Sequence, residues 1–270
     1  MKKFLLITTF CVLAGLALAH EFWLEPSQYV VRTGERVNIQ VMVGEGFAGE
    51  RSEGVKNRII QYRHHTATSS TDLAPTLTNG TYGNVVVQLN TPGTHLFSFA
   101  NTPKFLAMKA DSFLLYLEED GLSNVIAARK QRNEASKPSR ELYQRCVKTL
   151  VQVGNKPDDT FAKPTGMPLE IMADKNPYAQ RVGQPIGYQI LFGDKPISGA
   201  LVRYWNRNLT NELSEEKQRS DAKGRVQFLL KPGKNMVSVV HMVPASDTAQ
   251  ARYQPADWHS YWSSLTFGNK

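Results

Sequence analysis

Along residues 37–43, Val-Asn-Ile-Gln-Val-Met-Val, apolar side chains fall on alternate positions, the period of a strand with one face against a core. The same alternation runs over 82–89 and 95–99, and turn residues such as Asn79-Gly80 and Thr91-Pro92-Gly93 separate the runs. From Ala110 the period changes. DSFLLYLEEDGL and then SRELYQRCVKTLV place apolar residues three and four apart, which predicts helices, with Ser139 as a cap and Glu141 near the positive end of the second. GNKPDDTFAKPTGMP, residues 154–168, is rich in Pro, Gly and charge and reads as a linker or seam.

Beyond the seam the strands resume, each with its turn. DKPISGALVRYW, SDAKGRVQFLL and KPGKNMVSVVHM give strands over 200–205, 226–230 and 237–242, introduced by Gly199, Gly224 and Pro232-Gly233. This G-x-P-x-x-G-A-x-V … D-x-x-G-x-x-x-F … P-G spacing resembles the transthyretin-like or carboxypeptidase-regulatory-like β-sandwich, a scaffold that fixes no chemistry. The fold expected is mainly β: two β-sandwich domains with a short helical insertion between them. The boundaries are 1–19 for a signal segment, 20–109 for the first sandwich, 110–153 for the helices, 154–167 for the linker and 168–270 for the second sandwich.

MKKFLLITTFCVLAGLALA carries Lys2 and Lys3, then an apolar run to Leu18, then Ala17-Leu18-Ala19 with small residues at the two positions that a signal peptidase reads. The run is shorter than a membrane span and ends in that site, so the expectation is a cleaved signal, export to the periplasm and no membrane span afterwards. About 250 residues then remain, enough for substantial cores. Losing Lys2 and Lys3 takes the formal charge from +8 to +6. The basic residues are scattered rather than interleaved with aromatics, which argues for solubility and against nucleic acid. Cys11 leaves with the signal, so Cys146 has no intramolecular partner.

Familiar catalytic motifs fail on context. Gly44-Glu-Gly46-Phe-Ala-Gly49 follows a strand, yet no helical period opens after it, so it reads as a loop and not a dinucleotide fingerprint. There is no G-x-S-x-G, H-E-x-x-H or C-x-x-C, and nothing marks the chain as an enzyme. What remains is histidine: His20, His64, His65, His95, His241 and His259. Cleavage after Ala19 would leave His20 with a free α-amine beside its ring Nδ1, a chelating pair for nitrogen-loving divalent ions. Phe22 and Trp23 follow at once, and two large aromatics need burial that would pin the terminus. His241 is the best partner, since it shares a strand face with Val237 and Val239. Glu21 is a secondary ligand candidate, and His64, His65 and His95 read as strand-edge residues.

HEFWLEPS, FLLYLEEDGL, YQRCVKTLVQVG, PLEIMADKNP, the His241-Met242 pair and ADWHSYWSSLTFG together resemble a family of exported bacterial proteins that carry a domain of unknown function. Members are also described as the periplasmic component of nickel/cobalt uptake systems. The resemblance implies a divalent transition metal, nickel or cobalt with copper as the alternative, and an inner-membrane importer as partner. It implies His20 and His241 as ligands, His259 as a third where a carboxylate would be as natural, and Tyr261, Trp262 and Phe267 as a closing core strand. Two further readings stay open: a copper histidine-brace protein or oxidative enzyme, and a structural or adhesive module that binds no metal.

Overall fold

The computed structural model describes residues 21–52, 56–77 and 83–269, apart from the side chains of 250 and 251. The expected signal segment, His20 and the expected turn at Asn79-Gly80 therefore lie outside the described residues. The chain is mainly β, as its alternation predicts. Its backbone is one ten-stranded sheet. Across it run Leu213–Arg219, Leu201–Arg207, Gly233–Pro244, Trp258–Asn269, Ser139–Val153, Gly93–Asn101, Ile59–His65 and Ser70–Asp72, with Val30–Val31 and Lys104–Met108 also pairing with Ser139–Val153. Strands from before and after the seam thus share a single sheet. They meet where Ser139–Val153 runs parallel to Trp258–Asn269, in a register that pairs Arg145 with Trp262 and Thr149 with Thr266.

The two halves of this sheet bury opposite faces. On one face, Val202, Tyr204, Val237, Val239 and Leu265 pack against Ile171, Ile186, Tyr188, Ile190 and Phe228 of a second, four-stranded sheet formed after the seam. On the other face, Tyr62, Phe97, Phe99, Val147 and Val151 meet Phe22, Leu24, Val37, Ile39 and Val41 of a third sheet. That third sheet begins with the opening strand Glu21–Pro26. The helices Ala110–Glu119 and Ser123–Gln131 cover what is left of the latter face, setting Phe113, Tyr116, Leu117 and Val125 on Val240, Met242, Trp258 and Trp262.

One expectation is corrected here. SRELYQRCVKTLV is not helical: Ser139–Val153 is a strand at the middle of the large sheet. Because both of its faces are covered, apolar residues occupy both parities: Cys146 and Leu150 serve one face, Val147 and Val151 the other. A strand buried on two sides loses its alternation, and the resulting spacing imitates a helix. The helical part of 110–153 accordingly ends at Gln131. The Gly44–Gly49 loop is a tight hairpin between Arg36–Glu45 and Ala48–Arg51, with Gly46 at φ 56° and Phe47 at φ 53°, the left-handed pair that a two-residue hairpin turn requires.

The Pro-rich seam is tied down on both sides. Asp158 accepts from the backbone N–H of Thr94 (3.2 Å) and of Thr160 (2.9 Å). Glu170, just past the seam, accepts from the N–H groups of Thr165 (3.0 Å) and Gly166 (2.9 Å), and from Lys148 Nζ at 2.9 Å. Lys148 is 1 % exposed and also touches Met172 Sδ at 3.3 Å, so the large sheet holds the seam through a buried ion pair. At the far side, the Gln218 amide donates to Gln227 O (2.6 Å) and accepts from Gln227 N (3.2 Å), side chain to backbone, across the gap between the two sheets.

Candidate functional site

Gly233–Pro244 and Trp258–Asn269 are antiparallel, with His241 opposite Tyr261 and Val243 opposite His259. Alternation places His241 on the face of Val237 and Val239, as the sequence predicts, and brings His259 and Tyr261 to the same face. His241 and His259 are diagonal neighbours, a separation that long side chains bridge. Phe192 packs on His241 and Tyr261, its ring centroid 4.7 Å from that of His241 and 4.9 Å from that of Tyr261. His259 stacks on Tyr261 at 4.3 Å, and its Nδ1 lies 3.2 Å from the Tyr261 hydroxyl. Its Nε2 is buried with no hydrogen-bond partner.

Burial keeps both rings neutral. Burial pushes the His259 pKa down to about 4 and lowers that of His241, so both are neutral near pH 7 and each retains a nitrogen lone pair. The Tyr261 hydroxyl at His259 Nδ1 orients the ring and leaves Nε2 buried and unpaired. Cys146 and Met167 pack beside Tyr261. The Cys146 thiol is pushed up to about 12 by burial, so it is protonated at neutral pH.

Glu21 is elsewhere. It heads the opening strand on the opposite face, beside Arg203 and Asp120, so the large sheet stands between it and His241. Met242 is also on that opposite face, fully buried under the helices. His20 lies outside the described residues. Among those described, no three His, Cys, Asp or Glu side chains are gathered as a metal cluster. Of the four expected ligands, His241 and His259 share one sheet face as diagonal neighbours, and Glu21 lies on the other face.

Around Glu21 is a charged cluster that the sequence does not disclose. Asp120 caps the C-terminal end of helix Ala110–Glu119, and burial raises its pKa to about 7 despite Arg203, whose Nη2 is 3.4 Å away. Arg203 also donates to Glu119 O (2.6 Å) and Glu215 Oε1 (3.0 Å). Glu141 is 1 % exposed; its Oε1 accepts from Tyr116 Oη (3.1 Å) and from Ser260 Oγ, while Oε2 has no partner. Burial raises its pKa to about 7 as well. Arg145 lies over the Trp262 ring at 4.5 Å and the Tyr143 ring at 5.2 Å, with Nη1 unpartnered. Between Glu21, Asp120, Arg203, Trp262 and Ser264 is a cavity of about 20 Å³, room for one water, and beside it an open cleft of about 400 Å³. Glu141 and Arg145 are four apart, the spacing of a helix pair, which is how the misread strand hid them.

The remaining histidines are not at an edge. His95 lies in an interior strand, and His64 Nε2 is 2.7 Å from His95 Nδ1, with ring centroids 4.9 Å apart. His95 Nε2 is bonded to the Thr91 carbonyl, which only accepts, so His95 Nδ1 accepts the proton of His64 Nε2. Both rings are thus committed to each other.

The model of a domain of unknown function, DUF4198, matches residues 17–243. The chain belongs to the DUF4198 family. The DUF4198 match takes in His20, Glu21, Asp120, Glu141 and His241 and stops short of His259 and Tyr261. No curated protein matches the chain. Among solved structures, the D0-D1 domain of intimin shares 16% identity over 92% of this chain and 98% of its own, with a TM-score of 0.22. The three N-terminal domains of the bacteriophage RB49 outer capsid protein Hoc share 7% over 93% of this chain and 71% of their own, with a TM-score of 0.20. Likenesses this distant carry no functional weight.

Proposed function

We propose that this DUF4198 protein is an exported protein that binds a divalent transition metal, nickel or cobalt, and serves its uptake through an inner-membrane importer. Signal cleavage after Ala19 delivers it to the periplasm, and His241 and His259 take the ion. The observation that carries the reading is the unpartnered, buried Nε2 of His259 beside a second neutral imidazole on the same face. Imidazole suits nickel, cobalt and copper alike. Two sheet-fixed imidazoles fill only part of a coordination sphere, and the positions left for solvent or an incoming donor are what a protein that must release its cargo needs.

The test is native mass spectrometry of protein exported to the periplasm, recorded with stoichiometric nickel, cobalt and copper, on the wild type and on His241→Ala, His259→Ala and His64→Ala. One retained nickel or cobalt ion, lost in the first two variants and kept in the third, supports the proposal. Equal small effects in all three, or no retained ion, overturn it. Preferential copper retention with oxygen-dependent cleavage of chitin or cellulose would replace uptake by oxidative catalysis.

A further inference from the structure

The two helices leave and rejoin the large sheet at one point. Met108 and Ser139, which flank the insertion, stand opposite each other where Lys104–Met108 pairs with Ser139–Val153, so the helices can swing without breaking a strand ladder. Besides apolar packing on Val240, Met242, Trp258 and Trp262, a few polar ties hold them down. Arg203 donates to Glu119 O, Arg219 Nη1 to Gly121 O at 3.2 Å, and Asn124 to Met242 O at 3.4 Å. Beneath the first helix, Tyr116 Oη donates to Glu141 Oε1 at 3.1 Å. Glu141 is an unusual anchor: it is buried, its Oε1 also accepts from Ser260 Oγ, and its Oε2 has no donor. An ionised carboxyl left this way costs far more than the neutral acid, because a desolvated charge needs hydrogen bonds or a counter-ion. The groups around it supply neither. On its own strand, Arg145 lies over the Trp262 and Tyr143 rings with Nη1 unbonded. The helices and the turn after them bring Tyr116, Asp120 held by Arg203, Arg129 held by the Glu134 and Lys137 carbonyls, and Arg132 over the Trp258 ring. The opening strand adds Glu21, another acid, and the two strands under the helices add Ser260 and apolar or aromatic side chains.

We propose that the helical pair 110–131 is a proton-controlled lid: it lies closed over Trp258 and Trp262 while Glu141 is protonated, and lifts about the Met108–Ser139 hinge as Glu141 ionises. Burial sets the range, raising the Glu141 carboxyl from its ordinary 4.5 to about 7. Because the value in the closed state is the higher one, closure has its full advantage below about 4.5 and loses it as pH rises to about 7. Asp120 works in the same direction. It sits at the negative end of the first helix's dipole, and burial raises it to about 7 as well. Opening uncovers Val240, Met242 and the two tryptophans, an apolar face that the closed lid keeps from solvent. This face is opposite His241 and His259, so the inference stands apart from the metal reading.

The test is hydrogen–deuterium exchange of the whole protein at pH 6 and pH 8, corrected for the pH dependence of the chemical exchange rate, on the wild type, Glu141→Gln and Asp120→Asn. With values of 4.5 when released and about 7 when covered, Glu141 makes opening about tenfold more favourable at pH 8 than at pH 6. The expected result is that amides of the two helices gain at least this factor in the wild type while those of Gly233–Pro244 do not. Glu141→Gln, similar in shape and never charged, loses the factor of about ten, and Asp120→Asn keeps it. No pH effect on the helices, an undiminished effect in Glu141→Gln, or equal loosening of Gly233–Pro244 overturns the proposal. If Glu141→Gln does not fold, Tyr116→Phe decides. It removes a donor to the carboxylate, so the opening midpoint must move to higher pH, and an unmoved midpoint overturns the proposal.

Discussion

Replacing Glu170 by alanine leaves Lys148, 1 % exposed, as a buried ammonium with only the Met172 sulfur beside it. At 2.9 Å the pair's gross attraction is about 6 kcal/mol at an effective dielectric constant of about 20, from which desolvation of both ions must be subtracted. Breaking such a pair from one side costs about 3–5 kcal/mol, because the orphaned charge stays buried. The pKa directions agree. Burial pulls the Lys148 ammonium below its usual value, while burial alone would raise Glu170, and Lys148 with the Thr165 N–H holds it below the ordinary carboxylate range instead. For a chain of this length the loss corresponds to a midpoint lower by roughly 6–20 °C. Thermal unfolding at pH 7 should show this for Glu170→Ala, while the double variant Lys148→Met/Glu170→Leu, which leaves no charge behind, should recover most of it. A drop of less than about 1 kcal/mol in the single variant, or a double variant that simply sums its parts, would refute the argument.

Three other outcomes are expected. Burial, with His95 and His65 nearby, holds His64 at about 3 against 6.5 unfolded; because the folded value is the lower one, its contribution is complete above pH 6.5 and is lost as pH falls toward 3. His64→Phe, which keeps the stack on Phe97, should flatten the acid side of the stability–pH curve, and an unchanged slope would contradict the assignment. Cys146, fully buried with its thiol raised to about 12, should resist thiol reagents in the native state and react at once in denaturant; rapid native labelling would show that the core opens. Gly233 has φ 95°, and a Cβ there would meet Arg207 O at 2.2 Å, so Gly233→Ala should lower the unfolding midpoint markedly by disturbing the strand that carries His241; a neutral result would mean the turn is looser than described.

How far residues announce this structure depends on how many faces they bury. Val37 to Val41 alternate visibly because one side of their strand faces the core, and the face of His241 follows from Val237 and Val239 in the same way. Ser139–Val153, covered on both sides, hides its strand character, and with it the fact that Glu141 and Arg145 project toward Trp262 and the opening strand. Its parallel pairing with Trp258–Asn269, more than a hundred residues on, is a long-range choice that no local period encodes. Placing His259 diagonal to His241 needed the antiparallel register of Gly233–Pro244 on Trp258–Asn269, and Asp120 and Arg203 meet only because a helix end is laid against a distant strand. The signal-like start, and the expectation that its cleavage would make His20 the terminal residue, come from sequence alone and concern positions outside the described residues.

The Gln218 carboxamide has a bearing on how many of these molecules can share a solution. A strand at the rim of a sheet offers its backbone to any passing chain, and β-rich proteins that leave such rims open tend to polymerise. By occupying both the N–H and the C=O of Gln227, Gln218 acts as a one-residue stopper on the Arg225–Leu229 rim. At that residue no backbone group is left over for an intruding strand, and the fold keeps this margin to itself with a single uncharged side chain.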